Sequence, residues 1–152
     1  MDMSLKKNHG FTLVEVLTVI TILAIIAAIA IPSYNTYILK AKRSSAKNIL
    51  STISSKMETY KFNNKAYPTA LTQLNYPANP FYVNEDLEPS AVATGSIYKI
   101  TLSGVSGITA YTLTAEYQNT QIKDTNCKTF TINQLGTKTS TDSSNNSTDN
   151  CW

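Results

Sequence analysis

Few side chains in this chain of 152 residues combine a type and a spacing that would support chemistry. The single histidine, His9, stands in a short polar stretch ahead of a long apolar run. Imidazole acid-base work, a catalytic triad or a His-ligated metal centre would all have to depend on this one residue. Among carboxylates, Glu85, Asp86 and Glu88 form the one tight acidic group, in a segment flanked by Pro80 and Pro89. Calcium takes six or more oxygens, and this group lacks the spacing of a recognised loop. A solvated surface cluster is the favoured reading, with no metal and no other cofactor implied.

Glu15 is different. It is the only formally charged side chain between Phe11 and Ile31, a stretch with no Lys, Arg, Asp, Asn or Gly and with Thr12, Thr18 and Thr21 as its only other polar residues. A helix of that length is about 30 Å long, roughly one bilayer core. Translocon scales place a charge of this kind at mid-helix at about 2.5 to 3.5 kcal/mol, so an intramembrane carboxylate is a functional candidate by default. A cleaved secretory signal also starts with basic residues, here Lys6 and Lys7, but its apolar region is shorter and is followed by a small-residue cleavage site. Here Gly10 precedes the apolar run, which favours a segment that stays in the protein.

The elements that would position these groups follow from periodicity. After the apolar run, Ile38, Ala41, Ser45, Ala46, Ile49, Leu50, Ile53, Met57 and Tyr60 recur at spacings of three and four, opposite Lys40, Lys42, Arg43, Lys47, Lys56 and Lys61. An amphipathic helix over 33–63 is expected, continuous with the apolar one and ending near Asn63 and Asn64. Pro32 removes one backbone hydrogen bond and crowds the carbonyl four residues back, which predicts a kink or local melting. Residues 64–96, with Pro68, Pro77, Pro80 and Pro89, read as an irregular connection.

Period-two alternation then appears in Tyr98, Ile100 and Leu102, and again in Tyr111, Leu113, Ala115 and Tyr117. Gly104 and Gly107 supply the turn between them, and Phe130 with Ile132 begins a further strand that folds back through Asn133 to Gly136. A sheet of three or four strands needs cover on one face, so the helix is expected to pack on it. The fold class is therefore α+β: a long N-terminal helix, transmembrane in its first half, packed on a small antiparallel sheet.

Cys127 and Cys151 lie in the polar C-terminal part, which a single N-terminal span places outside the cytosol. A disulfide is permitted there, with two buried free thiols as the alternative. A closed loop of about 25 residues is worth roughly 3 to 4 kcal/mol in the chain-entropy treatment. The Thr-, Ser- and Asn-rich segment 137–150 is too polar to bury, so its order is expected to come from that bridge.

The stretch Lys6-Lys7-Asn8-His9-Gly10-Phe11-Thr12-Leu13-Val14-Glu15-Val16 resembles the precursors of type IV pilins. The resemblance implies cleavage after Gly10 by a prepilin peptidase on the cytoplasmic side and N-methylation of Phe11. It implies that Glu15 pairs with the Phe11 amine of a neighbouring subunit and sets axial register, against the plainer alternative of a contact within one chain. Pro32 matches a proline where filaments of the family locally unwind, and Cys127 with Cys151 fits the disulfide-bounded C-terminal loop. The run from Cys127 to Gln134 with the terminal Cys151-Trp152 is more similar to minor pilins of the PilE kind than to a principal subunit.

On this reading residues 1–10 are a leader, 11–32 a transmembrane and filament-core helix, and 33–152 an extracellular head comprising the helix 33–63, the connection 64–96, and the sheet and loop 97–152. The chain waits in the inner membrane with its N-terminus cytoplasmic, then enters a surface pilus through an assembly machinery. It supports pilus biogenesis and the adhesion, twitching motility or DNA uptake that go with it. Removal of 1–10 deletes His9, so the mature chain has no imidazole and enzymatic activity is not expected. Orientation rests on the leader, because Lys40, Lys42, Arg43 and Lys47 outnumber Lys6 and Lys7. Net charge is +3, or +2 once Asp2, Lys6 and Lys7 are gone, too mild to point to nucleic acid by itself. The alternatives are a type II secretion pseudopilin and a DNA-binding pilin for uptake, the latter through lysine-rich helix faces and exposed tyrosines.

Overall fold

The computed structural model describes residues 11–106 and 109–152. The expected cleavage residue Gly10 and the turn residue Gly107 lie outside the described residues. The helix α1 spans Leu13–Asn64, and the chain divides into two units, Met1–Ile38 and Leu39–Trp152.

In the first unit the helical residues from Leu13 are mostly apolar and face outward as far as Tyr37, with Leu17, Ile20, Leu23 and Ile26 all exposed. Such a helix satisfies every backbone polar group within itself, as a bilayer demands. Its hydroxyls are also satisfied internally: Thr18 donates to the Val14 carbonyl at 2.8 Å and Thr21 to the Leu17 carbonyl at 2.7 Å. Of the kink or local melting expected at Pro32, melting does not occur here: α1 runs without a break through it, and Thr36 Oγ1 donates to the Pro32 carbonyl at 3.1 Å. A proline removes one donor only, and the flanking helix is long enough to hold the turn.

In the second unit α1 buries Ala46, Leu50, Ile53 and Met57, spaced by four, three and four, which places them on one face. They share a core with the inward residues of a six-stranded antiparallel sheet of order β2-β1-β3-β4-β5-β6. Its strands are β1 (Phe81–Asn84), β2 (Pro89–Ser90), β3 (Ser96–Ser106), β4 (Ala110–Tyr117), β5 (Thr129–Asn133) and β6 (Lys138–Thr141). Register aligns Phe81, Ile100, Ala115 and Phe130 across four neighbouring strands, all inward. Period two then forces Thr101, Thr114 and Thr131 onto the other face.

The sheet is larger than the three or four strands expected. The stretch 64–96 contains a 3-10 helix, Leu71–Leu74, as well as β1 and β2. Phe81 and Val83 alternate with Tyr82 and Asn84 over too few residues to stand out among prolines, yet they are buried against β3. The polar C-terminal segment is likewise ordered by more than the bridge. The turn Asn133 to Gly136 returns the chain as β6, whose Ser140 is buried and whose Ser140 carbonyl accepts the Thr148 amide at 3.0 Å. Ladder bonds satisfy a strand whatever its side chains, which is why polarity alone misjudged this segment.

Candidate functional site

Glu15 occupies the first turn of α1, where the dipole favours negative charge. The Thr12 backbone N–H donates to Glu15 Oε2 at 3.4 Å, and the Glu15 N–H donates to Thr12 Oγ1 at 3.2 Å. This is a reciprocal capping box, and it anchors the one charge of the apolar segment at the helix start. Thr12 was not singled out from sequence, although Thr-x-x-Glu ahead of an apolar run is the signal that finds it. Phe11, one residue upstream, is 83% exposed. Phe11 and Glu15 therefore lie together at the start of the unit, whereas Pro32 lies well along it.

At the other end of the chain, Cys127 and Cys151 are joined, with Cα atoms 5.8 Å apart and both residues buried. The bridge rests on a polar cluster that periodicity did not reveal. Asp124, only 2% exposed, takes both Nε and Nη2 of Arg43, the Gln121 Nε2 at 3.2 Å and the Cys127 N–H at 3.3 Å. Arg43, expected on the solvated face of α1, points inward instead. A buried carboxylate requires a partner, and the planar guanidinium satisfies both its oxygens. Hydrogen bonding to Asp124 raises the Arg43 pKa above its usual value, against the opposing effect of burial. Lys47 adds a hydrogen bond to the Cys151 carbonyl at 3.1 Å. The acidic group is a surface feature: Glu85 accepts from Thr120 Oγ1 at 2.8 Å and Lys42 Nζ at 3.3 Å, which hold its carboxyl below the ordinary range.

The C-terminal end of α1 is rich in cations and rings. Tyr67 donates to Glu58 at 2.7 Å, accepts from Lys61 Nζ at 3.1 Å, and meets the Tyr111 ring edge-on at 4.7 Å. Burial, ahead of the Glu58 hydrogen bond, raises the Tyr67 pKa. Lys56 sits over Tyr76, which stacks on Phe81. Phe62 stands beside this cluster with its ring turned to solvent.

Comparison with known families meets this geometry at both ends. Residues 5–31 match the family described as the prokaryotic N-terminal methylation motif. Residues 32–131, well over half of the chain, match the family described as type IV minor pilin ComP, DNA uptake sequence receptor. No curated protein sequence matches the chain. The family matched is of pilus subunits and not of secretion pseudopilins, and it is a structural family that associates with other subunits and the assembly machinery. With the methylation motif ahead of an apolar helix, the protein is held in the inner membrane before assembly into the surface pilus. The structure gives a membrane-length helix capped by its own carboxylate and a helix-on-sheet head closed by a disulfide, and on these matches the chain belongs to the type IV minor pilin ComP family.

Proposed function

We propose that this minor pilin is a DNA receptor of the uptake pilus, cut after Gly10, methylated at Phe11 and carried into the filament with Glu15 setting its register. Residues 1–10 are then the leader, 11–32 the anchor and filament core, and 33–152 the head that meets DNA; the protein itself catalyses nothing. The match of residues 32–131 to a DNA uptake receptor family supports the binding role. The apolar first unit supports the assembly role. Its side chains are exposed and exchange lipid for neighbouring helices without new desolvation. Glu15 then needs a cation to offset its burial, and the new Phe11 ammonium of an adjacent subunit supplies one. In the filament, Pro32 is the point at which α1 gives way, because the turn there lacks one hydrogen bond.

Intact mass of protein from sheared filaments tests the processing: residues 1–10 lost, one methyl gained, two hydrogens lost to the disulfide. Glu15→Ala is expected to be cleaved normally but absent from filaments, while replacing Gly10 by a large residue blocks cleavage. Normal filament content after both changes refutes the assembly role. Purified filaments with and without this subunit, titrated with labelled duplex, test the receptor role, which fails when the two bind alike.

A further inference from the structure

Glu58, Thr59, Lys61, Phe62 and Lys65 line one hollow at the end of α1, and the spacing 58, 61, 62, 65 puts them on one face of the helix. Phe62 is 77% exposed. A single exposed ring is ordinary on a protein surface and carries nothing by itself. Its surroundings are less ordinary. Lys65 Nζ stands 5.5 Å from the Phe62 ring centroid, and Lys61, which lines the same hollow, brings a second ammonium group 4.5 Å above Tyr67. Against these two cations stands Glu58, already accepting the Tyr67 hydroxyl.

The helix end is also held and electrically quieted. Lys65 adopts a left-handed φ of 61° and its N–H donates to the Lys61 carbonyl at 2.8 Å. Asn64 Nδ2 donates to the Tyr60 carbonyl at 2.9 Å and Lys65 Nζ to the Phe62 carbonyl at 3.3 Å. The last carbonyls of a helix carry its negative end, and here those of Tyr60, Lys61 and Phe62 are occupied by donors, which offsets part of that charge beside the lysines.

We propose that this helix end is a DNA contact of the receptor, with Phe62 packing against the face of an unstacked base while Lys61 and Lys65 neutralise the flanking phosphates. An exposed ring set among cations is the chemistry that binds a strand having π-faces on a phosphate chain. The assignment rests on the receptor role proposed above and adds the residues that perform it.

The test uses the full chain in neutral detergent micelles, titrated by fluorescence anisotropy with a labelled duplex and with the same duplex carrying one unpaired thymine. The parent protein is expected to bind the second more tightly. Phe62→Ala weakens binding about tenfold, leaves the dependence on salt unchanged, and leaves thermal unfolding unchanged because the ring is exposed. Phe62→Trp retains affinity. Lys65→Gln lowers the slope of log K against log salt by about 0.9. If the parent binds and Phe62→Ala stays within twofold of it, this contact is wrong and the receptor role stands. Should the parent bind neither duplex, the receptor role fails and the contact with it. Loss of filament incorporation by Phe62→Ala without any change in DNA affinity makes the patch a contact between subunits and overturns the proposal.

Discussion

Asp124→Ala probes how the head is held to its helix. The substitution leaves Arg43 without its bidentate partner, and the Gln121 amide and Cys127 N–H each lose an acceptor. Removing one member of a buried ion pair costs roughly 3 to 5 kcal/mol. The Arg43 side chain keeps 15% of its surface exposed, so its head regains some water, and the loss belongs at the low end, about 3 kcal/mol. For a unit the size of Leu39–Trp152 that corresponds to a fall in Tm of about 10 °C. Trp152 is the only tryptophan and meets the Phe130 ring edge-on at 5.9 Å, so its fluorescence reports melting of the head, while the micelle-embedded part of α1 stays silent. The double variant Arg43→Met with Asp124→Leu replaces the pair by apolar side chains and is expected to recover most of the loss. A shift below about 3 °C for Asp124→Ala, or a double variant as unstable as the two single losses summed, refutes the reasoning.

Reduction of the Cys127–Cys151 bridge, which spans 24 positions, is expected to lower head stability by about 3.5 kcal/mol, read as a drop in the urea midpoint of the reduced protein. Alkaline pH should also destabilise the head. Burial, with the Asp124 charge behind it, raises the Tyr98 pKa above its usual value, so the stabilisation is complete below the unfolded value of about 10 and declines as pH rises beyond it. Tyr98→Phe flattens that decline in Tm between about pH 9 and 11. At neutral pH it leaves stability within about 1 kcal/mol, because the Tyr98 hydroxyl has no partner in hydrogen-bond geometry among the described residues.

Recognition of the assembly end needed only sequence. The apolar run from Phe11 to Ile31, its lone Glu15 and the Gly10-Phe11 junction are contiguous and compositional, and the capping box around Glu15 was written in the same few residues. The core strands were also legible, since Tyr98, Ile100, Leu102, Tyr111, Leu113 and Ala115 alternate over runs long enough to register. β1 and β6 were not. The first is short and surrounded by prolines, and the second is built of Lys, Thr and Ser, so neither carries an apolar period. Lysine-rich helix faces were legible as a DNA-binding alternative, but the sequence does not say which of those lysines stand beside an exposed ring, as Lys65 does beside Phe62.

The sequence by itself determined what depends on neighbours along the chain: a membrane-length helix with one carboxylate at its start, a basic stretch ending in Gly10 ahead of it, alternating strands, and two cysteines in the polar C-terminal part. Tertiary structure decided which distant side chains meet. Arg43 finds Asp124 across 81 positions, Gln121 is buried beneath the Leu39 carbonyl, and Phe62 remains in water beside Lys65 although its neighbours on α1 are of similar composition. Local pattern sets which face of an element is apolar, but burial of a charge is set by whether the fold brings it a partner, and exposure of a ring by where the sheet stops covering the helix.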